Sequence, residues 1–385
     1  MTKNKVMTWP TKKLGEVCDF IFGYSFKAGD FNEAGRGLPV IRIGDIDKGI
    51  TEKFYDKEYD NRYLVEKGDI LIGLSGTIKV DKWRGKKALL NQRIVKICDF
   101  KPEVLEDFIF YQLPQILKRL EIQISEGTVK NVLLPHLSNL KILVPPLSIQ
   151  RQIVERLDAI KKAQELNDKQ IALADELFQS LLHRELKPKG KKWEIKKLGE
   201  ICEVARGGSP RPINNYLTKS SGGINWIKIG DVKEGEKYIT STAEKIKPEG
   251  ISKTRLVKEG DLILSNSMSF GRPYILKISG AIHDGWLLLH IKNKSGLSHD
   301  FLYYILGTTQ TKTQFEKAAS GGVVRNLNTD LVKKVKIPLP PIETQRKIVE
   351  KLSAVQEYKK KLIEQKQLLQ ELFDSVLNKS FKGQL

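Results

Sequence analysis

A chain of 385 residues is long enough to hold an active site, but this sequence lacks the common catalytic motifs. The sequence contains no GxxxxGK[ST] phosphate loop, no GxGxxG that opens a helix, no HExxH, no GxSxG and no Cys/His cluster at metal-ligand spacing. The two Pro-Pro pairs follow Val144 and Leu339, so the Asn/Asp-Pro-Pro-aromatic tetrapeptide of amino-methyltransferases is missing too. His283 and Asp284 are adjacent, but spacing places no nucleophile beside them. We therefore predict no catalytic and no metal-binding residues.

Three pairs of loops instead carry the residue types that bind nucleic acids. They mix Arg, Lys, Asn, Ser and Thr, which grip phosphates and read base edges, with glycines that allow close backbone approach. The pairs are residues 23–31 and 205–212, 73–87 and 265–273, and 125–131 and 320–326. An ordinary polar turn is the alternative interpretation of any single loop.

We predict that DNA-binding residues lie in these loops and beside neighbouring turns of each half. In the first half, the predicted residues are Tyr24, Ser25, Lys27, Arg42, Ser75, Thr77, Lys79, Asn91, Arg93, Thr128, Lys130 and Asn131. In the second half, they are Arg206, Ser209, Arg211, Lys228, Ser265, Asn266, Ser267, Arg272, His283, Trp286, Arg325 and Asn326. Matched positions differ in sequence, since residues 24–26 correspond to 208–210 and residues 91–93 roughly to 283–285. The two halves are therefore expected to read two different sequences.

The formal net charge of +20 favours a polyanionic partner. Residues 1–148 carry a net charge of +5 and residues 187–341 carry +13, whereas residues 149–186 carry −1 and residues 342–385 carry +3. Basic side chains that neutralise phosphates release counterions, so DNA or RNA is the natural partner of such surfaces. A basic surface kept for solubility is the alternative.

The cysteines and the N-terminal segment point to the cytoplasm. Cys18, Cys98 and Cys202 lack CxxC spacing and predict neither a disulfide framework nor a zinc site. The start, MTKNKVMTWPTKK, has no apolar core of signal-peptide length, and no stretch approaches the ~18 apolar residues of a membrane span. We expect a soluble cytoplasmic protein.

The elements that position the loops are repeated along the chain. KKLGEVC at 12–18 returns as KKLGEIC at 196–202, an offset of 184, and VPPLSIQRQIVERL at 144–157 returns as LPPIETQRKIVEKL at 339–352, an offset of 195. Further ordered matches, such as DFIFYQL with DFLYYIL, lie between them. Such ordered self-similarity predicts a duplication, and the drift of the offset predicts insertions in the second copy.

Each copy is predicted to be a lobe of mixed α and β structure. Short apolar or alternating runs, such as residues 38–43 and 69–74, are punctuated by Gly, Asp and Asn, which is typical of strands joined by turns. A helix is predicted near residues 102–120, with a counterpart at 298–315. The first lobe is predicted at residues 1–147 and the second lobe at residues 188–341.

A long helix is predicted after each Pro-Pro pair, at residues 148–187 and 342–385. Both stretches have a long run without Gly or Pro, and apolar residues recur in them at heptad spacing. The predicted packing positions are Ile153, Leu157, Ile160, Phe178, Leu181, Ile348, Leu352, Val355, Phe373 and Val376. The two stripes most simply pack on each other. If the helices run antiparallel, the lobes sit at opposite ends and the molecule has a pseudo-twofold axis.

The length of these helices suggests a spacer. About 35 residues at a rise of about 1.5 Å make a rod of roughly 50 Å, which spans roughly 15 base pairs at about 3.4 Å each. Two lobes would then face the same side of one duplex. Polar interruptions and leftover surface apolar residues such as Leu173 and Leu368 predict that the helices also bind a partner. A purely intramolecular spacer is the alternative.

These residues resemble the specificity (S) subunits of type I restriction-modification systems. The resemblance is carried by the two WxxxxLGE/IC-like lobe starts, the GDI/GDL strand ends, the SxGT or SxSxGxP loop, and above all by PPLSIQRQIVERLD and PPIETQRKIVEKL. It covers essentially the full chain. Asn91-Gln92 matches a family-like Asn-Gln after the SGT loop, but the second half lacks that pair, so no role is carried over to His283.

The resemblance implies two target-recognition domains joined by two spacer helices in an antiparallel coiled coil. It also implies recognition of a bipartite, asymmetric double-stranded DNA sequence and docking of methyltransferase (modification) subunits, two of them in our prediction, with restriction subunits in the full complex. S-adenosylmethionine, ATP and Mg²⁺ would belong to those partners, and the chain itself would be non-catalytic. The alternatives are a DNA- or RNA-binding regulator that acts alone and a self-sufficient nuclease or methylase with unrecognised motifs.

Overall fold

The computed structural model describes residues 9–74, 78–125, 132–186, 193–232, 236–266, 271–292, 296–319 and 326–381. The chain folds as two compact units. The first unit is Met1–Asp168 together with Glu364–Leu385, and the second unit is Lys169–Ile363. Each unit therefore combines one lobe with part of both long helices.

The first lobe is built on two four-stranded sheets and a two-stranded ribbon. Its elements are β1 (Thr11–Lys13), β2 (Asp19–Phe22), β3 (Leu38–Ile41), β4 (Phe54–Tyr55), β5 (Leu64–Val65), β6 (Ile70–Gly73), β7 (Lys79–Lys82), β8 (Ala88–Leu90), β9 (Ile94–Cys98), α1 (Glu106–Ser125), α2 (Leu134–Ser138) and β10 (Lys141–Leu143). The strand orders are β2-β9-β6-β7, β4-β3-β8-β5 and β1-β10. All pairs are antiparallel except β3 with β8, and the predicted mixed α and β lobe is confirmed.

The second lobe repeats this plan with one more strand in each large sheet. Its elements are β11 (Glu194–Lys197), α4 (Leu198–Ile201), β12 (Cys202–Arg206), β13 (Leu217–Thr218), β14 (Ile224–Ile227), β15 (Tyr238–Ile239), β16 (Glu244–Ile246), β17 (Arg255–Val257), β18 (Leu262–Ser265), β19 (Pro273–Leu276), β20 (Gly280–Ile282), β21 (Trp286–Ile291), α5 (His299–Leu306), α6 (Thr309–Ala319), α7 (Thr329–Lys334) and β22 (Lys336–Leu339). The strand orders are β12-β21-β18-β19-β15, β13-β16-β14-β20-β17 and β11-β22.

Strand β15 accounts for part of the length difference between the two copies. Leu38 of β3 pairs with Tyr55 of β4, and the corresponding pair in the second lobe is Ile224 with Ile246. The two strands of this hairpin thus differ in offset by five residues, and β15 lies in the longer connection. It extends a sheet by parallel pairing with β19.

Two long helices follow the lobes, α3 (Leu147–Leu186) and α8 (Ile342–Ser380). In the first unit, Asp168 of α3 pairs with Lys366 of α8 at 2.7 Å, and Gln164 donates to Gln370 at 3.2 Å. In the second unit, Asp175 and Glu185 pair with Lys359 and Lys351 at 2.6 and 3.0 Å. Residues that rise along α3 meet residues that fall along α8, so the helices run antiparallel within each unit.

The predicted heptad positions pack against the lobes as well as along the helix pair. Six of them, Ile153, Leu157, Ile160, Leu181, Ile348 and Leu352, are buried, and Phe178, Val355, Phe373 and Val376 are partly buried. Ile153 and Leu157 belong to the core of the first lobe, which Phe373 and Val376 also contact. Leu181, Ile348 and Leu352 belong to the core of the second lobe. The two stripes therefore lie along the helix pair, as predicted, and they also complete the cores of the lobes.

A buried glutamine fastens the start of each long helix to its lobe. The Gln150 amide accepts from the Leu105 backbone N–H at 2.8 Å and donates to the carbonyls of Glu103 and Pro145 at 2.8 and 2.7 Å. Gln345 repeats the arrangement in the second lobe, with partners at Ser298, Gly296 and Pro340. Both glutamines are fully buried. The Pro-Pro-x-x-x-Gln-Arg signature is therefore a structural junction.

Candidate nucleic-acid interface

In the first lobe, the turn between β8 and β9 meets the end of β2 at close range. We call residues 91–93 the first tip. The backbone N–H of Tyr24 donates to Leu90 at 3.0 Å, and that of Gln92 donates to Tyr24 at 2.8 Å. Gly23 makes this approach possible, because a Cβ atom there would lie 1.9 Å from the Asn91 carbonyl oxygen. The loop that begins at Gly23 and the first tip thus form one surface.

Side chains lock the first tip in place. The Ser25 hydroxyl donates to Gln92 Oε1 at 3.1 Å, and the Asn91 side chain accepts from the Gln92 backbone N–H at 2.9 Å. Arg93 has a φ of 64°, in the left-handed region that few non-glycine residues adopt. Its carbonyl accepts from the Leu74 N–H at 2.8 Å. These hydrogen bonds fix the conformation of the first tip.

A shallow depression opens beside the first tip. It is lined by Arg42, Ile43, Gly44, Asp45, Lys48 and residues 91–93. Asp45 pairs with Arg42 Nε at 3.2 Å and also accepts from the Arg42 backbone N–H. The guanidinium is therefore held at the rim beside Asn91 and Arg93, which brings three predicted DNA-binding residues together.

An aromatic group flanks the depression. Tyr24 is 50% exposed, and its ring packs against Phe26 and Tyr63 at centroid distances of 5.0 and 5.3 Å. Arg62 lies 5.0 Å above the Tyr63 ring. Exposed rings of this kind stack on nucleobases, and nearby cations attract phosphates. Lys27, the next predicted residue along the loop, is also exposed.

The second lobe repeats the close approach with different side chains. We call residues 283–285 the second tip. The N–H of Gly207 donates to Trp286 at 3.0 Å and that of Gly208 donates to Ile282 at 3.1 Å. A Cβ atom on Gly207 would lie 2.1 Å from the His283 carbonyl oxygen. The rough sequence match between residues 91–93 and 283–285 therefore holds in three dimensions.

Asp284 is the hub of the second tip. Its Oδ1 accepts from the Ser209 hydroxyl at 3.0 Å, and its Oδ2 pairs with the Arg211 guanidinium at 3.3 Å. Its backbone carbonyl accepts from Arg206 Nε at 3.3 Å and from Asn266 Nδ2 at 2.7 Å. One residue thereby joins the second tip to side chains from two other loops, 205–212 and 265–273.

The electrostatics of this tip favour an ionised Asp284 and a neutral His283. Burial raises the pKa of Asp284, but the hydrogen bonds from Ser209 and Arg211 and the positive charge of Arg211 act against it, and the pKa lies below its usual value. Burial lowers the pKa of His283, against the attraction of Asp284. His283 Nδ1 accepts from the Gly285 N–H at 2.9 Å, so Nε2 carries the proton and donates to Asp284 at 2.9 Å.

Lys228 corresponds to Arg42 in the second lobe. Its backbone N–H donates to Asp231 at 2.7 Å, as that of Arg42 does to Asp45. Its side chain instead pairs with Glu244 at 2.7 Å. The same turn therefore carries a cationic side chain in each lobe, but that side chain pairs with Asp45 in the first lobe and with Glu244 in the second.

The structure corrects the prediction that Trp286 binds DNA. Its side chain is 0% exposed and belongs to the core formed with Ile263 and Tyr274, so it packs the lobe beneath the tip. Ser265 and Asn266 are also buried. The Ser265 hydroxyl accepts from the Arg272 N–H at 3.0 Å, and the Asn266 side chain supports Asp284. Both are therefore supporting residues rather than exposed contacts.

Other predicted residues lie away from the tips or outside the described residues. Lys79 pairs with Asp47 at 3.0 Å on β7, and Arg272 lines a separate cavity with Tyr303 and Lys312. Asn326 is exposed and precedes Leu327, whose N–H donates to Asn266 at 2.9 Å. The predicted residues that lie outside the described residues are Ser75, Thr77, Thr128, Lys130, Asn131, Ser267 and Arg325.

Sequence reasoning selected neither Gln92 nor Asp284, although each is the middle residue of a tip. One signal was available. Ser25 and Ser209 lie 184 residues apart, the offset of the lobe starts, and each donates to the middle residue of its tip. A serine that occupies the same register in both lobes, and that hydrogen-bonds to a residue that differs between them, indicates a shared support for a variable position.

The described residues offer no arrangement for metal or thiol chemistry. No group of three or more His, Cys, Asp or Glu side chains among them is placed to hold a metal ion. Burial raises the pKa of the Cys18 and Cys202 thiols to about 12, so these thiols stay protonated. None of the helices in the described ranges is long and apolar enough to cross a membrane.

Comparisons with known proteins agree with the duplicated fold. A family model described as "Type I restriction modification DNA specificity domain" matches residues 7–174 and 190–372. The type I restriction enzyme EcoBI specificity subunit of Escherichia coli is 24% identical over 411 residues, which cover 98% of this chain and 86% of that protein.

Solved structures share the fold at low sequence identity. A type I restriction-modification S subunit from M. genitalium superposes with a TM-score of 0.60 at 16% identity, covering 99% of this chain and 98% of that one. A chain from a structure described as the basis of complex assembly and conformational transition of the type I R-M system gives 0.64 at 21% identity, covering 98% of both chains.

Proposed function

The chain belongs to the family of type I restriction-modification DNA specificity proteins, and on that premise we propose that each lobe reads one half of a bipartite, asymmetric DNA target. A specificity subunit recognises the DNA target within the complex and is itself non-catalytic. The proposal concerns how this chain divides that recognition between its lobes.

The pair of matched tips supports the proposal most strongly. Gly23 and Gly207 let the backbone pass equally close to the two tips, and Ser25 and Ser209 support both from the same place. The supported residues differ, since Asn91-Gln92-Arg93 stands where the second lobe has His283-Asp284-Gly285. A common frame with different donors and acceptors reads different bases.

The difference in net charge between the two lobes supports unequal binding to the phosphate backbone of the DNA. The second lobe region carries a net charge of +13 and the first lobe region carries +5. Contacts to phosphates position a protein on DNA without selecting a sequence, and they weaken as salt rises. We expect the second lobe to contribute more of the salt-dependent affinity.

We further propose that α3 and α8 set the spacing of the half-sites and hold the partner subunits. Apolar residues stay exposed on both helices, with Leu173 at 61% and Leu368 at 64% exposure. Leu177 and Leu372, one helical turn further along α3 and α8, are exposed as well, and neighbouring exposed apolar side chains mark protein interaction sites. The partners would be methyltransferase subunits, two of them, and restriction subunits. S-adenosylmethionine, ATP and Mg²⁺ would bind to those partners, in the cytoplasm.

Methylome sequencing of a host that expresses this chain with its methyltransferase partner tests the proposal. We expect one bipartite target whose two halves differ in sequence and are separated by a gap of constant length. A palindromic or contiguous target, or methylation that does not depend on this chain, would contradict the division between two lobes. A host that expresses the methyltransferase alone is the control.

A further inference from the structure

The two tips differ in charge although they share their support. In the first tip, Ser25 donates to the neutral amide of Gln92. In the second tip, Ser209 donates to the carboxylate of Asp284, which also attracts Arg211 and His283. An aspartate at a surface meant to face phosphates costs electrostatic energy, so its presence calls for an explanation.

We propose that Asp284 is a positioning residue of the second lobe, whose carboxylate holds Arg211 and His283 in the orientation in which they meet the DNA. The inference rests on the proposed function, because it assumes that the second lobe reads one half-site. It adds a division of roles to that function: Arg211 and His283 contact the DNA, and Asp284 fixes their orientation.

The geometry explains how one carboxylate serves both side chains. Oδ2 faces the Arg211 guanidinium at 3.3 Å, and Oδ1 faces His283 Nε2 at 2.9 Å and the Ser209 hydroxyl at 3.0 Å. The Arg211 side chain remains 79% exposed, so its other N–H groups stay available to a ligand. His283 is also fixed from behind, by the Gly285 N–H and by an edge-to-face contact with Trp226.

Holding Arg211 in one orientation affects affinity and selection in different ways. A free arginine samples many rotamers, and ordering it on binding costs free energy for correct and incorrect sequences alike, so a tether raises affinity without selecting a base. A guanidinium tethered in one orientation matches the paired acceptors of a guanine edge and mismatches other bases more severely. The carboxylate therefore contributes to discrimination through the orientation that it imposes on Arg211.

The test compares Asp284→Asn with the matched control Asp300→Asn. The asparagine keeps the shape of Asp284 and loses its charge. Asp300 forms an ion pair with Lys237 at 2.5 Å in the same lobe and takes no part in the described contacts of the tip. Each variant is assembled with the methyltransferase, and methylation is measured on DNA with single substitutions in either half-site.

We expect Asp284→Asn to lower discrimination at the second half-site by about ten-fold and to leave the first half-site unchanged. Ser209→Ala, which removes one support and keeps the charge, should act in the same direction with a smaller effect. Asp300→Asn should retain the original discrimination at both half-sites.

Three results would overturn the inference. They are unchanged discrimination in Asp284→Asn, an equal loss at both half-sites, and a switch to a new preferred base at one position, which would make Asp284 a base contact itself. Exchange of the whole second lobe separates this failure from that of the proposed function. If the exchange redirects methylation while Asp284→Asn has no effect, only the inference fails.

Discussion

At Gly23 and Gly207, the lack of a Cβ atom allows the backbone to approach the tip of each lobe. At both positions the backbone passes so close to a tip carbonyl that a Cβ atom would lie within about 2 Å of it, at 1.9 Å in the first lobe and 2.1 Å in the second. Glycine is therefore required by space and not by an unusual φ angle. The side chains that differ between the two lobes, at 91–93 and 283–285, belong to the tips that this shared contact positions.

Gly23→Ala tests the contact in the first lobe. The added methyl group collides with the Asn91 carbonyl, so we expect a loss of about 1–3 kcal/mol in the free energy of unfolding and weaker discrimination at the first half-site. Gly29→Ala is the control, because a Cβ atom there has nothing within 4 Å. Urea denaturation and methylation assays on substituted DNA measure both effects. Wild-type discrimination in Gly23→Ala would show that the tip does not read DNA.

At the scale of elements, the long helices do more than separate the lobes. Each helix contributes one end to the core of the first unit and the other end to the core of the second unit. Phe373 and Val376 of α8 contact the core of the first lobe, while Ile348 and Leu352 of the same helix lie in the core of the second lobe. The buried glutamines anchor the N-terminal end of each helix.

Gln150→Leu tests that anchoring. The leucine leaves the Leu105 N–H and the Glu103 and Pro145 carbonyls without their partner, and buried unpaired groups cost about 1–3 kcal/mol each. We expect a loss of about 3 kcal/mol or more in the free energy of unfolding of the first unit. Gln164→Leu removes only an exposed hydrogen bond on the same helix and should change stability by about 0.5 kcal/mol or less. Equal stability of the two variants in urea would refute the anchoring role.

The exposed leucines of the helices carry a separate prediction about partners. We expect the double variant Leu173→Glu/Leu368→Glu to bind the methyltransferase at least about ten-fold more weakly, because charges disfavour burial in an apolar contact. Ile50→Glu is the matched control, since Ile50 is 71% exposed and belongs to the first lobe and to neither long helix. Quantitative co-purification measures the binding. Undiminished binding by the double variant would show that these two leucines do not contact the methyltransferase.

The sequence predicted well whatever depends on order along the chain. The repeat offsets predicted a duplicated fold, which the family match and the structure show, and the Pro-Pro pairs with their heptads predicted long helices where α3 (Leu147–Leu186) and α8 (Ile342–Ser380) lie. Contacts between distant residues could not be read in the same way. Gln150 meets Leu105 across 45 residues and Asp284 meets Ser209 across 75, and neither spacing follows a period. Trp286 sits among polar tip residues in sequence, and only the direction of its side chain in β21 shows that it packs the core.

Across the whole molecule, we propose that recognition is modular, with one half-site for each lobe. Each unit has its own core and its own tip, and the described contacts of each tip stay inside its unit. The tips rest on a scaffold that repeats, so changing one lobe should leave the reading of the other intact. We therefore expect the two half-sites to be read independently of each other.

Exchange of one lobe tests whether the two half-sites are read independently. Residues 193–340 are replaced by the second lobe of another type I specificity subunit, the chimera is expressed with the methyltransferase, and the methylated sequence is read across the host genome. We expect one half of the target to change to the sequence read by the donor lobe while the other half stays as it was. An unchanged target, or a change in both halves, would contradict independent reading by the two lobes.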